Sequence, residues 1–484
     1  MDRTLFLLQR SMRMMTYKPK LMMFSHVSNT GSITGAEKLL LLFCLQLTPY
    51  FECTLAAPQE GKLTDYARRQ GISVRIQPYP LLYGMYHPGA LLEQEAEALR
   101  HHPDFASVIR TLTEVAPDMV LTNTIVNVLP AMAAKTLGIP VLWKVTEVMQ
   151  STEYDHAAIS VVEKYSDCLI AISEASARVF RGRVARPITL LPPSSDNELL
   201  KPAQILIRTG YRKVLRLKNS HVCIGYISSF IHPEKGLLEF VRMACIISQS
   251  HENSRFVVIG KPADQAYYER CMAEVGASGF RTRFRFIPFV ESVHSAYSAM
   301  DILVVPSMVH EGFGMTALEG MLCGKPVVAF DSGGLGELMA NTGNSHAVVP
   351  AGDAAALAVK VAEFLNDPEL LQSTGSRNAE AAKAQYGMET YRSRVASYVH
   401  ALMQGCPDWM SGAISASLTA YREPPLLQPP EIAQKTVTAR RRPGRRGRGA
   451  KRKGAAAKRQ RRLAKRRTGA RRRSKRRSIT TKRR

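Results

Sequence analysis

The chain has 484 residues, 45% of them hydrophobic and 22% charged, more than the roughly 250 to 300 residues that one hydrophobic core organises, so two globular bodies are expected. The net charge of +26 is concentrated in one place: residues 440–484 hold 25 Lys and Arg and no Asp or Glu, which leaves 41 basic against 40 acidic groups in the rest of the chain. The body is therefore nearly neutral, and its composition gives no support to a polyanion-binding body.

From the N-terminus, the apolar run at residues 5–8 is soon broken by Arg10, Arg13, Lys18 and Lys20 and is too short for a secretory signal. The longest later run, residues 39–47, is about half a membrane span. The reading is no transmembrane helix and a cytoplasmic protein. Eight cysteines are scattered singly, with no C-x-x-C and no metal-ligand spacing; they read as buried reduced thiols rather than a disulfide framework or zinc site.

Short β-branched runs then alternate with amphipathic stretches, the pattern of βαβ units and parallel sheets. Strands are predicted at residues 21–27, 52–57, 73–77, 119–122, 140–145, 168–172 and 188–191, and in a second block at 222–228, 255–259, 282–287, 302–305, 326–330 and 347–349. The fold class is α/β with two Rossmann-like, doubly wound domains, 1–200 and 201–403, joined between Pro192 and Ser220 where Pro-Pro-Ser-Ser-Asp interrupts the pattern. Closing helices run to about Met403. Residues 404–439 read as a linker and 440–484, almost without aliphatic or aromatic residues, as a disordered polybasic tail.

The most informative segment is residues 301–337, DILVVPSMVHEGFGMTALEGMLCGKPVVAFDSGGLGE. A buried strand stops at Pro306, a loop ends in Glu311-Gly312-Phe313-Gly314, and a helix begins near Met315. The first-turn amides of that helix lack intrahelical acceptors and its dipole is positive there, so the strand, glycine loop and helix form a cradle for an anion such as a diphosphate. Glu311 and Glu319 flank it, and carboxylates accept hydrogen bonds from paired sugar hydroxyls. A first-turn partner of the helix dipole is the plainer alternative for such a Glu.

The pattern P-S-x-x-x-E-G-F-G-x-x-x-L-E-x-x-x-x-G-x-P-V-V-A-x-x-x-G-G over residues 306–334 resembles the donor signature of glycosyltransferase family 4, retaining enzymes of GT-B fold. The resemblance implies that Glu311 lies by the donor sugar, that Gly312, Phe313, Gly314, Met315 and Thr316 meet sugar and phosphate, and that Glu319 binds ribose. Residues 24–37, FSHVSNTGSITGAE, resemble the family's first strand and glycine loop, with Gly31 and Gly35 admitting donor phosphates and acceptor. Pro233-Glu-Lys-Gly236 resembles its phosphate loop and puts Lys235 on the diphosphate, so Glu311 and Lys235 are the candidate catalytic pair. Residues 170–175 and 191–196 also resemble late elements of the first domain, and the likeness spans about residues 21–403.

Two positions depart from the family. Phe230 stands where an Arg is common, and Trp143-Lys-Val-Thr-Glu147 stands where many members carry a His, offering Lys144, Thr146 and Glu147 instead. The nearest imidazoles by motif are His26 and His310. Gly333 and Gly334, followed by Glu337, read either as a second ligand loop or as a tight turn needing positive φ.

The resemblance implies front-face substitution, in which the leaving phosphate helps deprotonate the acceptor hydroxyl. It implies no metal and no cofactor beyond the nucleotide-sugar substrate, and no Asp-x-Asp motif lies beside the candidate pocket. The implied partners are a nucleotide-sugar donor, a glycan or lipid-linked acceptor, and an anionic membrane surface or other polyanion met by residues 440–484 at the inner face of the membrane. Competing readings are a related epimerase or phosphorylase and a non-catalytic nucleotide-sugar-binding scaffold tethered by its tail.

Overall fold

The computed structural model describes residues 18–31, 33–195, 204–288 and 294–405. The expected linker, beyond its first two residues, and the polybasic tail lie outside the described residues.

The first sheet has seven parallel strands: β1 (Lys20–Phe24), β2 (Glu52–Ala57), β3 (Ser73–Ile76), β4 (Met119–Asn123), β5 (Val141–Val145), β6 (Cys168–Ala171) and β7 (Ile188–Leu190). Their order is β3-β2-β1-β4-β5-β6-β7. The second has six parallel strands: β8 (Val222–Ile231), β9 (Ser254–Pro262), β10 (Phe284–Ile287), β11 (Ile302–Val305), β12 (Val327–Phe330) and β13 (Val348–Val349), in the order β10-β9-β8-β11-β12-β13. Every residue of β4, β5, β6, β11 and β12 is buried. Helices cover both faces of such sheets, so both side-chain parities must be apolar or internally satisfied.

All thirteen expected strands are present, but β8 and β9 run past their expected ends. Their register shifts between Ile227 and Phe230 and pairing resumes at Phe230 with Lys261 and Ile231 with Pro262. The Ser228 hydroxyl donates to the Phe230 carbonyl at 2.7 Å, closing the irregular step. This extension carries the chain to the turn that bears Lys235.

Seven helices matter below: α1 (Gly35–Leu47), α2 (Glu174–Ala177), α3 (Leu237–Ser250), α4 (Met315–Leu322), α5 (Gly334–Asn341), α6 (Pro368–Tyr386) and α7 (Met388–Gly405). The strand order reverses at β1, which lies between β2 and β4, and at β8, which lies between β9 and β11. Crevices beyond the carboxyl ends of parallel strands at such reversals are where α/β folds take ligands.

One assignment needs correcting. Residues up to 403 were read as part of the second half, yet α7 returns to the first. Its apolar stripe, Tyr391, Val395, Tyr398, Val399 and Leu402, joins the core formed by Leu40, Phe43, Cys44 and Leu47 of α1. The spacing of three and four makes one apolar face, and α1 supplies the surface that buries it. The return passes beside the outward connection: the Ser194 hydroxyl donates to the Tyr386 carbonyl at 2.6 Å. The seven described cysteines are free and buried or half-buried. Among the described residues no helix is long and apolar enough to cross a membrane.

Candidate functional site

The loop after β11 is built from close backbone approaches. Gly314, at φ +95°, is the N-cap of α4 and offers no side-chain cap, so the first-turn amides of α4 have no protein side chain on them from that position. A Cβ on Gly314 would lie 2.8 Å from Leu335 of α5. Gly236, at φ +68°, ends the Lys235 turn, and a Cβ there would lie 1.8 Å from the Pro306 carbonyl oxygen. A Cβ on Gly312 would lie 1.9 Å from the carbonyl oxygen of Thr146, at the end of β5. The glycine at 312 thus permits contact between the second-sheet loop and the first-sheet edge.

Gly333 adopts φ +58°, ψ −126°, a region close to glycine-only, and a Cβ there would lie 2.8 Å from the Glu311 carbonyl oxygen. The Gly334 amide donates to that same oxygen at 2.8 Å, and the Glu311 amide donates to Ser332 at 3.2 Å. Of the two readings for this Gly-Gly pair, the turn is present, and it pins the Glu311 loop. Glu337, which follows, reaches the first half: its Oε2 accepts from the Glu174 amide at 2.9 Å.

Lys235 and Glu311 meet directly. The ammonium donates to Glu311 Oε1 at 2.6 Å, and the Ser307 hydroxyl donates to the same oxygen at 2.5 Å. Burial works against the charged carboxylate, but the Lys235 charge and the two hydrogen bonds outweigh it and hold Glu311 below the ordinary carboxylate range. Phe230 and His232 line the same cavity, and burial pushes the His232 imidazole down. Among the described residues, Lys235 is the only Lys or Arg that lines the cavity.

The cavity holds about 450 Å³, within the range of small-molecule sites. Both sheets wall it. Gly312, Phe313, Gly314, Met315 and Thr316 line it from the second, Gly35, Tyr86, Thr146 and Glu147 from the first, and His310 from the loop before Glu311. Phe313 is mainly an anchor: it is 5% exposed, and its ring meets Tyr386 edge-on at 5.3 Å. Such burial stabilises by about 2 kcal/mol.

Two expected site residues do not line the cavity. Gly31 lies in the loop before α1, with nothing within 4 Å of a Cβ placed there. Glu319 sits in the second turn of α4, where its Oε2 accepts from the Tyr297 hydroxyl at 2.9 Å. His26 is likewise apart from the cavity; burial pushes its imidazole down to about 4, against the pull of Glu37.

Sequence reasoning missed several residues. Glu37 is fully buried and accepts from the Asn29 amide, Asn29 Nδ2, the Thr34 amide and Thr34 Oγ1, at 2.7 to 3.0 Å, so it organises the loop that ends at Gly35. The Thr-x-x-Glu capping box was a readable signal for it. Tyr297 and the Glu337–Glu174 bond had none. Lys144 is 2% exposed, with its ammonium 3.4 Å from Asn123 Oδ1 and 5.9 Å from the Phe43 ring centre. Burial pushes it down to about 8 although Glu147 pulls the other way. Among the described residues no group of three or more His, Cys, Asp or Glu is placed to hold a metal ion.

Residues 221–367 match the family model described as Glycosyl transferases group 1. The chain is 32% identical over 192 residues to a 2-deoxystreptamine N-acetyl-D-glucosaminyltransferase of Streptomyces fradiae, covering 39% of this chain and 44% of that one. It is 30% identical over 243 residues to the lipopolysaccharide core biosynthesis mannosyltransferase LpcC of Rhizobium leguminosarum bv. viciae, covering 49% and 65%. The chain thus spans about half the length of the curated relatives it matches. The structure of Anabaena Alr3699/HepE in complex with UDP and glucose superposes with a TM-score of 0.66 at 20% identity, over 79% of this chain and 99% of that one. WaaG, a glycosyltransferase involved in lipopolysaccharide biosynthesis, superposes at 0.57 and 14%, over 78% and 99%. The fold is GT-B. In GT-B terms the cavity lies in the cleft between the two halves, with Lys235 and Glu311 on one side and Glu147 on the other.

Proposed function

We propose that this protein is a retaining glycosyltransferase of family 4, moving a hexosyl group from a nucleotide sugar to a hydroxyl of a glycan or lipid-linked acceptor in the synthesis of a cell-surface polysaccharide or glycoconjugate. One observation carries the reading: Lys235, the only Lys or Arg among the described residues of the cavity wall, and the uncapped first turn of α4 converge on a cleft walled by both sheets. The match to the group 1 model and the likeness to UDP-bound HepE support it.

In this reading the donor diphosphate takes the Lys235 ammonium from Glu311 and lies toward the amides of α4. The carboxylate so released accepts hydrogen bonds from sugar hydroxyls. Glu319, oriented by Tyr297, serves the ribose. As the bond to the diphosphate breaks, Lys235 and the helix N-terminus stabilise the charge developing on the leaving group. That departing oxygen takes the acceptor's proton on the same face, and no metal is called for. The cationic stretch 440–484 holds the enzyme to an anionic membrane surface, where lipid-linked acceptors are found.

The test is release of nucleoside diphosphate from a panel of UDP-, GDP- and ADP-sugars, with the anomeric configuration of the product read by NMR. Release with retention from one donor is the expected result. Conversion of the sugar without release would mean an isomerising enzyme, and neither release nor binding would end the proposal.

A further inference from the structure

Among the described residues, Glu147 is the one carboxylate that the first half contributes to the cavity wall. It lies two residues past the end of β5, an interior strand whose residues are all buried. Its side chain is fixed. Oε2 accepts from the Ile125 amide at 3.1 Å and the Thr146 amide at 3.2 Å, and Oε1 accepts from the Thr146 hydroxyl at 2.8 Å. A carboxylate has about four lone-pair positions, so three bonds orient the group and leave it able to accept one more.

The cavity sets Glu147 apart from its other carboxylates. Glu311 is engaged by Lys235 and Ser307. Glu234 is half exposed and pairs with His232 at 3.4 Å. Among the described residues Glu147 has no cation in hydrogen-bond contact; the charge of Lys144, buried in β5 three positions before it, acts on it from a distance. Burial pushes the Glu147 carboxyl up, against the hydrogen bonds from Thr146 and Ile125 and the pull of Lys144, whereas Glu311 is held down. The Tyr86 hydroxyl lies within electrostatic reach of Glu234, Lys235 and Glu147 alike, so these groups address one space. A rigid acceptor of hydrogen bonds thus faces the diphosphate cradle from the half that does not carry the cradle.

Resting on the glycosyl-transfer reading, we propose that Glu147 receives the hydrogen bond of the acceptor's reacting hydroxyl and aims that oxygen across the cleft at the donor sugar. The bond that forms joins the acceptor oxygen to the anomeric carbon. The bond that breaks joins that carbon to the diphosphate oxygen, and the hydroxyl proton leaves on the diphosphate. The hydroxyl has one proton, so Glu147 holds that O–H while the acceptor is being placed, and the O–H turns from Glu147 to the departing diphosphate oxygen as the donor bond breaks. Lys144 is a positioning residue: its buried charge favours the carboxylate form of Glu147.

The experiment compares Glu147→Gln with the wild-type full chain, using the sugar nucleotide that the wild type turns over and a saturating soluble acceptor. Glu147→Gln is expected to lower kcat by about 100-fold, the cost of a poorly aimed nucleophile, while affinity for the free nucleoside diphosphate stays within twofold. A loss under threefold, or a parallel loss of nucleotide affinity, would overturn the assignment and leave Glu147 as a brace for the 124–126 loop. Should the variant not fold, carbodiimide labelling of the wild type decides. Acceptor together with nucleoside diphosphate is expected to protect Glu147 where nucleoside diphosphate alone does not; equal labelling in both would overturn the proposal. If the wild type turns over no sugar nucleotide, the glycosyl-transfer reading itself fails, a result distinct from either of these.

Discussion

The Lys235 ammonium lies 2.6 Å from the Glu311 carboxylate, before the first turn of α4, so the two charges neutralise one another. Lys235→Ala should lower kcat/KM by roughly two orders of magnitude, since a charge-assisted, partly buried phosphate contact contributes about 2 to 3 kcal/mol and no other Lys or Arg lines the cavity. Glu311→Gln should act in opposite directions: tighter binding of free nucleoside diphosphate, because its competitor for Lys235 is neutral, and slower turnover of the sugar nucleotide. Calorimetry with the free nucleotide checks the first, and steady-state rates the second. Weaker nucleotide binding in Glu311→Gln would contradict the competition.

The same pair carries a pH signature. Glu311 is held below its unfolded value, so the stabilisation it provides is fully present above the ordinary carboxylate pKa and fades as pH falls through the depressed folded value. In Lys235→Ala the main opposing force to burial is gone, and the carboxyl should titrate higher. Chemical denaturation of the two proteins should therefore show a stability gap at neutral pH that closes under acid conditions. A gap independent of pH would mean that the ion pair is not its source.

Gly312→Ala tests closure of the cleft. The added methyl would meet the Thr146 carbonyl at 1.9 Å, backbone against backbone, so something must shift. Neither sheet's core contains the position, and the melting temperature should fall by only a few degrees, whereas turnover should drop at least tenfold. A large melting shift with unchanged turnover would reverse the roles assigned to this contact.

Tyr297→Phe removes only the hydroxyl of a side chain that is 1% exposed, and with it the 2.9 Å bond to Glu319 Oε2 and a longer one, 3.4 Å, to the Thr316 carbonyl. Nucleotide affinity should weaken by about fivefold, in line with one hydrogen bond of about 1 kcal/mol, and Glu319→Ala should weaken it further. Unchanged affinity in both would remove Glu319 from the donor site.

A chain ending at Thr438 removes all 25 basic groups of residues 440–484. Turnover of a soluble acceptor should persist, while binding to anionic vesicles at low salt should vanish. In the full chain that binding should fall steeply with salt. Loss of donor turnover on truncation would contradict the separation of catalysis from attachment.

The strands were legible because parallel sheets bury both faces, and runs such as Ile302–Val305 and Val327–Phe330 have few other uses. The Glu311 loop was legible because glycines are kept where backbones touch. What those glycines touch was not: Gly312 faces Thr146, 166 positions away in the chain. The same holds for Glu337 on Glu174 and Tyr297 on Glu319, bonds set by packing between distant segments. The return of α7 to the first half was hidden for a related reason. An apolar stripe shows that a helix needs a partner without saying which.

That return has a mechanical consequence. The chain crosses between the halves twice, and the crossings touch where Ser194 donates to the Tyr386 carbonyl. Two connections held together at one place constrain the halves more than either would alone. Because the Tyr386 ring also packs on Phe313, that junction bears on the loop that carries Glu311.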